Sequence, residues 1–277
     1  FRLGPDFGLA ELLATMRIPG VLQRIAICYL LASLMFLFAG RKTIVVATAV
    51  ALLAYWAAMM LIPAPGYGAG MIDGRDTHLA AYVDRTLLGE AHLWSSAKTW
   101  DPEGILSTVP ALATTLLGVL TGMRPKQDQP LQELLRELLL AGIVLTAIGW
   151  LWGQVFPINK SIWTSSYAVF TAGLALLVLG ACVWLFDILG WRRLALPLRI
   201  YGVNALTVFV MSGVVGRALV EWKVAQDNVS LKTWIYENLF HSWLTDKNAS
   251  LAYALAWVLA WFAVLALMFR RGWIIKV

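Results

Sequence analysis

The sequence predicts an all-α fold: a polytopic membrane helix bundle of about seven transmembrane helices, with the N-terminus outside and the C-terminus in the cytoplasm. Hydrophobic residues make up 60% of the 277-residue chain and charged residues 14%, and the mean hydropathy is +0.72. Soluble domains contain about 45–50% apolar and about 25% charged residues, so both fractions exclude an ordinary water-soluble protein. The 14 tryptophans agree, because the amphipathic indole ring favours the membrane interface.

Seven apolar stretches are each close to the roughly 20 residues that a helix needs to cross a bilayer. They are residues 20–39, 43–62, 104–122, 134–153, 162–186, 200–219 and 250–269. The sixth stretch is the weakest of these predicted spans, because Asn204 and Arg217 interrupt it.

The spans are predicted to form one unit. No internal repeat and no low-complexity linker divides the sequence, so we predict a single transmembrane domain over 1–277, with large outer loops at 63–103 and 220–249. Cys28 and Cys182 both lie within apolar runs, where we interpret them as small core residues without a disulfide.

Basic residues fix the predicted orientation, because short cytoplasmic loops are enriched in Lys and Arg. They occur in four short segments at alternate ends of the spans: Arg41-Lys42, Arg124 with Lys126, Arg192-Arg193 with Arg199, and Arg270-Arg271 with Lys276. We therefore place these segments in the cytoplasm and the N-terminus outside. The net charge of +6 is then mostly this signature and does not indicate a nucleic-acid partner. Because the chain begins at Phe1 without a Met, we expect at least one earlier span.

Two arginines stand at the head of the first span. Pro19 and Gly20 mark the start of that helix, and Arg24 then lies about one turn inside it. One interpretation is that these long side chains reach back to the lipid headgroups. The other is that Arg17 and Arg24 line a polar vestibule and hold an anionic or hydroxylated ligand.

The third span is preceded by two acidic residues. Asp101 suits the N-cap position of a helix, and Glu103 suits its positive end. That structural role accounts for both carboxylates. The functional alternative is a carboxylate pair that binds an amine or sugar hydroxyls, or that pairs with a nearby cation.

Asn159 and Lys160 precede the fifth span. Asn159 suits a helix cap, whereas a cation such as Lys160 in the first helical turn is electrostatically unfavourable and needs a partner. That partner is either Asp101 or Glu103, or an anionic or carbonyl ligand. Within the sixth span, Asn204 is interpreted either as a hydrogen-bonding link between helices or as a contact to an amide-rich ligand.

The remaining motifs are few. His78, His92 and His241 fall in predicted outer loops, show no metal-ligand spacing, and are expected to be solvated loop residues, so we predict no metal site. Residues 80–94 have the pattern of a short amphipathic helix.

The polar residues described above lie at the outer ends of three spans, which predicts a polar pocket that opens outward. These residues are Arg17, Arg24, Asp101, Glu103, Asn159 and Lys160.

Several motifs together resemble a known family. They are RIPGVLQR (17–24), YVDRTLLG (82–89) with HL (92–93), DPEGILST (101–108) with LGVLTG (117–122), PINKSIW (157–163) with SY (166–167), and RRGWIIKV (270–277). In this order they are similar to the heparan-α-glucosaminide N-acetyltransferase family, and the chain looks like a bacterial member with short loops.

The resemblance implies a multi-pass enzyme that carries an acetyl group from cytosolic acetyl-CoA to the amino group of a glucosamine on the far side of the membrane. In this family context Arg17 and Arg24 would position carbonyl or phosphate groups, and Asp101 and Glu103 would engage the amine and hydroxyls. Asn159 and Lys160 complete the expected pocket. The weaker candidates for CoA contacts are Asn204, Arg41, Lys42, Arg124, Arg192 and Arg193.

The resemblance also implies a location and partners. We expect the bacterial inner membrane, a pocket toward the periplasmic or outer face, a glycan or amino-sugar acceptor, and a possible homodimer. The catalytic residue stays unassigned. The family's proposed catalytic histidine lies in a part that precedes this chain, and His78, His92 and His241 do not match it. Competing functions are an O-acetyltransferase of an envelope polysaccharide and an amino-sugar transporter.

Overall fold

A computed structural model describes residue 8 and residues 13–123, 130–224 and 228–275 of the chain. The α-helices whose full extent falls in these ranges are α1 (Val21–Phe38), α2 (Arg41–Leu61), α3 (Leu79–Leu88), α4 (Thr108–Gly122), α5 (Leu131–Trp152), α6 (Ser165–Cys182), α7 (Arg192–Val203), α8 (Ala205–Glu221), α9 (Leu231–Tyr236) and α10 (Asp246–Arg270). A 3₁₀ turn covers Glu90–His92, and π-helical turns cover Val183–Ile188 and Glu237–His241. Strands β1 (Lys223–Val224) and β2 (Val229–Ser230) form an antiparallel hairpin.

Within the part of the chain that the structure describes, five helices are long and apolar enough to cross a membrane, which confirms the predicted all-α, multi-pass class. They are α1, α2, α5, α6 with its π-helical extension to Ile188, and α10. Helix α4 is shorter than predicted. It begins at Thr108 and has 15 residues, or roughly 22 Å of helix, against a hydrocarbon core of about 30 Å.

The predicted span 200–219 is wrong as a continuous helix. The chain breaks at Asn204, and α7 and α8 are bent by 64° relative to each other, so at most the pair together counts as a sixth span. The break has a specific cause. The Asn204 side chain accepts a hydrogen bond from the Ile275 N–H at 3.0 Å and donates one to the Trp273 carbonyl at 3.1 Å. The amide thereby holds the last described residues of the chain.

Contacts divide the chain into two compact units, Phe1–Trp184 and Leu185–Val277, so the single-domain organisation stays a prediction. In the second unit, Tyr201 of α7 donates a hydrogen bond to the Val258 carbonyl of α10 at 2.5 Å. In the loop region of this unit, His241 Nδ1 lies 2.9 Å from Glu237 Oε2, and His241 Nε2 lies 2.7 Å from Asp246 Oδ1.

In the first unit, α5 and α6 pack face to face through glycines. Gly142 and Gly149 on α5 are seven residues apart, as are Gly173 and Gly180 on α6, so each pair lies on one helix face. A Cβ at Gly149 would overlap the backbone of Phe170, and one at Gly173 would overlap the backbone of Thr146. Small residues of this kind let membrane helices approach closely.

Helices α1 and α2 of this unit pack against α4. Ala32 of α1, Ile44 of α2 and Leu116 of α4 form one buried cluster. At the opposite end, Tyr55 and Phe156 belong to a second cluster that also includes Met59, Ala80 and Ile162. This second cluster joins the end of α2, the start of α3 and the segment before α6. We call this end of the unit, where α1 and α4 also begin, the site end.

Candidate functional site

A guanidinium and two carboxylates form the centre of the site end. Arg17 Nε donates to Asp101 Oδ2 at 2.8 Å, and Arg17 Nη2 donates to Asp101 Oδ1 at 2.6 Å and Glu103 Oε2 at 2.5 Å. The Asp101 side chain is fully buried, whereas Arg17 keeps 32% of its side-chain surface exposed. Hydrogen bonding to Asp101 raises the pKa of Arg17, and Glu103 adds to this effect. Two segments 84 residues apart in sequence are thereby joined.

Asp101 also organises its own loop. It accepts hydrogen bonds from the backbone N–H groups of Glu103 and Trp94, both at 2.9 Å. The expected N-cap position is wrong in detail, because α4 begins at Thr108 and Asp101 instead caps the turn that starts at Pro102. The carboxylate is thus held by four donors, two from Arg17 and two from the backbone.

Arg24 points into the protein rather than toward lipid headgroups. Its side chain leaves α1 and donates to the Pro102 carbonyl at 2.7 Å and to the Ser107 hydroxyl. The guanidinium also lies over the Trp163 ring, 5.4 Å from the centroid, and the residue is 7% exposed. Its Nε has no hydrogen-bond partner among the described residues. A buried arginine of this kind fixes the segment 102–107 against α1.

The neighbouring residues Asp84 and Arg85 of α3 hold the same loop from another direction. Asp84 Oδ1 accepts from the Ile105 N–H at 2.9 Å, and Arg85 Nη1 donates to the Thr99 carbonyl at 2.6 Å. A Cβ at Gly104 would overlap the Asp84 carboxylate, so glycine is required for this approach. The pKa of Asp84 is raised to about 6, chiefly because burial disfavours the charged carboxylate.

The short segment 90–93 positions Arg17. The Ile18 N–H donates to the His92 carbonyl at 3.0 Å, and His92 Nδ1 lies 2.8 Å from the Met16 carbonyl. The chain on both sides of Arg17 is therefore fixed before α1 begins. His92 thus acts through both its backbone carbonyl and its ring Nδ1.

A cavity of about 380 Å³ opens beside this cluster. Trp94 and Trp100 stand in its wall edge to face, with ring centroids 6.2 Å apart. The other lining residues are Ile72, Asp73, Gly74, Arg75, His78, Pro102, Asn159, Ser161 and Ile162. Pockets for small ligands typically enclose about 300–1,000 Å³ and combine aromatic walls with a few polar groups, which is the character of this cavity.

His78 corrects the expectation that all three histidines are solvated. It is 3% exposed, and its Nδ1 accepts the Ala81 N–H at 3.0 Å, so it is the N-cap of α3. Burial lowers the pKa of His78 to about 4, with a smaller contribution from the charge of Arg85. The imidazole is therefore neutral at pH 7.

Asn159 and Lys160 take different positions from those expected. Asn159 lines the cavity and accepts the Ser161 N–H at 2.8 Å, whereas the cap of α6 is Thr164. Lys160 is exposed and makes no ion pair within the described ranges. The carboxylates that could have paired with it, Asp101 and Glu103, are bound to Arg17 instead.

A second, larger cavity of about 670 Å³ lies among α4, α5 and α6. Its wall is mostly apolar, and its polar members are Thr114, Thr121, Thr171, Glu137 and Arg41. Of the other candidates for CoA contacts, Arg124 lies outside the described residues. The Asn204 amide is engaged by Trp273 and Ile275, which lie beyond the end of α10, so it links α7 and α8 to the segment after α10 and not to another helix.

Sequence reasoning missed the aromatic and polar wall of the smaller cavity, namely Asp73, Arg75, His78, Trp94 and Trp100. One signal was present: His78 lies two residues before the predicted amphipathic segment 80–94, near the position where a side chain that accepts an N–H is expected. Among the described residues, no group of three or more His, Cys, Asp or Glu side chains is placed to hold a metal ion.

These features define a multi-pass, all-α membrane protein with a polar cluster and an aromatic-lined cavity at one end of its first unit. No family model matches the chain. It is similar to heparan-alpha-glucosaminide N-acetyltransferase from Mus musculus (28% identity) and from Homo sapiens (26% identity), in each case over 81% of this chain. The chain spans 41% of the length of each relative. The family resemblance predicted from the motifs is thereby confirmed.

Proposed function

We propose that the protein is a membrane-embedded acetyltransferase that moves an acetyl group from acetyl-CoA to the amino group of a glucosamine-type sugar. The observation that carries this proposal is the cavity walled by Trp94 and Trp100, which lies within the part of the chain that resembles the N-acetyltransferases. Apolar ring faces pack well against a pyranose, and the polar groups beside them supply hydrogen bonds to its substituents.

On the acceptor side, the charges at the site end suit an amino sugar. Asp73 in the cavity wall and Glu103, whose side chain is 18% exposed, attract the ammonium group. Arg17 and Arg24 act mainly by holding the 101–107 segment in place. Asn159 contributes hydrogen-bonding capacity in the wall, and the exposed Lys160 lies next to it.

On the donor side, we place the thioester arm of acetyl-CoA in the larger, mostly apolar cavity. Its volume of about 670 Å³ and its threonine hydroxyls suit the amide-containing pantetheine chain. Arg41 in the wall of this cavity is then positioned for a phosphate, in agreement with its predicted cytoplasmic location. In the reaction, the carbonyl–sulfur bond breaks and the carbonyl–nitrogen bond forms. The amine loses a proton to a base, and CoA leaves as the thiol.

The direct test is acetyl transfer by the protein expressed from its complete gene and purified in detergent. We expect label from [acetyl-¹⁴C]acetyl-CoA to appear in N-acetylglucosamine when glucosamine is supplied. N-acetylglucosamine as acceptor is the control, since it offers hydroxyls but no free amine. Label on that control would indicate O-acetyl transfer, and uptake of glucosamine into proteoliposomes without acetyl-CoA would indicate a transporter.

The donor site has its own test. The Arg41→Gln variant should raise KM for acetyl-CoA about tenfold, because one charge-assisted hydrogen bond to phosphate is lost, and should leave KM for glucosamine unchanged. Lys42→Gln is the matched control, since Lys42 is also basic and exposed but does not line the cavity. Equal effects of the two variants on KM would contradict a specific role for Arg41.

A further inference from the structure

The hydrogen bonding of His78 determines which ring nitrogen carries the proton. Because Nδ1 accepts the Ala81 N–H at 3.0 Å, Nδ1 presents its lone pair to the helix. A neutral imidazole has one proton, so that proton is on Nε2. The N-cap role of His78 thus makes Nε2 a hydrogen-bond donor and removes its capacity to accept a proton in this tautomer.

This donor makes no short hydrogen bond among the described residues, although the Arg75 backbone lies close enough to oppose the lowering of the ring's pKa. His78 Nε2 is buried and has no hydrogen-bond partner within the described residues. A buried donor without a partner is destabilising, so such a group in a folded protein calls for an explanation. The same ring forms part of the wall of the 380 Å³ cavity and stands edge to face with Trp100, 6.4 Å between centroids.

Asn159 Oδ1 already accepts the Ser161 N–H, and Asp73 and Arg75 carry charges suited to ionic groups. The indoles of Trp94 and Trp100 and the hydroxyl of Ser161 are further neutral donors in the wall. His78 differs from them because the N-cap hydrogen bond of Nδ1 fixes its proton on a buried nitrogen. Its natural partner is an uncharged oxygen with a free lone pair, such as a sugar hydroxyl.

We propose that His78 is a specificity-determining residue, whose Nε2–H donates a hydrogen bond to a ring hydroxyl oxygen of the acceptor sugar. It recognises the acceptor and does not deprotonate the amine. The low pKa of about 4 supports this role, because the ring keeps one proton, and hence one fixed donor, throughout the neutral range. This inference rests on the proposed function, since it assumes that the cavity takes an amino sugar.

The test measures binding instead of turnover. Glucosamine is titrated by isothermal calorimetry into the protein in detergent, beside 3-deoxy-, 4-deoxy- and 6-deoxyglucosamine. We expect one deoxy sugar to bind about tenfold more weakly than glucosamine, because it lacks the hydroxyl that meets Nε2. In the His78→Asn variant, glucosamine should bind about tenfold more weakly and the penalty for that deoxy sugar should disappear.

Asparagine is chosen because it is a strong N-cap and retains an oxygen for the Ala81 N–H. The thermal midpoint of His78→Asn should therefore stay close to that of the unchanged protein. The thermal midpoint of His78→Ala should fall, because this variant loses both the cap and the donor. His241→Asn, in the second unit, is the matched histidine control and should leave the dissociation constant unchanged.

Each outcome decides the proposal. Three results would overturn it. The first is an unchanged dissociation constant for glucosamine in His78→Asn, and the second is a weaker binding of the deoxy sugar that persists in this variant. The third is that none of these sugars binds the unchanged protein. Binding that depends on His78 without any acetylated product would refute the proposed acetyl transfer and leave the role of His78 intact.

Discussion

At the scale of single residues, the site end depends on Arg17. Replacing it by glutamine leaves the fully buried Asp101 carboxylate without its cation, although two backbone N–H groups remain. Because Arg17 is itself about one-third exposed, we expect a loss of about 1–3 kcal/mol, less than for a completely buried pair. The measurement is the free energy of unfolding of the purified protein in mixed micelles.

The control for this variant is an exposed ion pair. Arg217 and Glu221 are 3.2 Å apart with side chains 57% and 64% exposed, so Arg217→Gln should cost no more than about 0.5 kcal/mol. If both variants lost the same stability, the Arg17 cluster would be no more than a surface contact.

Asp84 gives a prediction on pH dependence. Its pKa is raised from 3.8 to about 6, so between these values the folded protein binds more protons at this site than the unfolded chain does. The stability contributed by the protonated carboxyl is complete below about pH 4 and is lost as the pH rises through about 6. In the Asp84→Asn variant, the fall in thermal midpoint from pH 4 to pH 6 should become smaller.

Thermal unfolding followed by circular dichroism across this range provides the measurement. The asparagine oxygen can still accept the Ile105 N–H, so the loop itself is retained. An identical pH dependence in the two proteins would show that Asp84 is ionised in the same range in the folded and unfolded states.

At the scale of helices, the close packing of α5 against α6 requires glycine at particular positions. Gly173→Ala places a methyl group against the backbone of Thr146 and forces the helices apart. Overpacking of this kind costs typically 1–3 kcal/mol, and we expect a corresponding fall in the thermal midpoint. Gly213→Ala in α8 is the control, because a Cβ there meets nothing within 4 Å, and its effect should be neutral or slightly stabilising.

The helices also show what hydropathy predicts and what it omits. The first two spans, predicted at 20–39 and 43–62, end within about two residues of Val21–Phe38 and Arg41–Leu61, because burial in lipid depends on composition alone. The sequence already marks Asn204 as an interruption of the sixth stretch, whereas its hydrogen bonds to Trp273 and Ile275 are long-range contacts that no local pattern records.

The site likewise contains features that the local sequence predicts and others that depend on tertiary packing. The misfit residues Arg17, Asp101 and Glu103 were recognised as candidates from their charge and placement, and the structure joins them. Pairing of the carboxylates with a cation was one of the alternatives, with Lys160 as the named partner, but the structure gives Arg17, because the choice depends on packing between segments far apart in the chain. His78 was assigned to a solvated loop for the same reason: its burial comes from Trp100 and the surrounding fold.

At the scale of the whole molecule, the orientation of the chain in the membrane stays a prediction. Basic loops place Arg136, at the start of α5, in the cytoplasm and Lys98 outside. In a variant with Cys28 and Cys182 replaced by alanine, Lys98→Cys should react with a membrane-impermeant maleimide in intact cells. Arg136→Cys should react only after permeabilisation, and the reverse pattern would invert the topology.

The cluster around Arg17 has a consequence for how the protein is made. Membrane helices enter the bilayer in the order of synthesis, and Asp101 is translated 84 residues after Arg17. At 5–20 residues per second, the guanidinium waits on the order of ten seconds for its counter-ion. Until then Arg17 lacks the carboxylate that it binds in the folded protein, so the contact between the start of α1 and the 101–107 segment can close only after Asp101 has been synthesised.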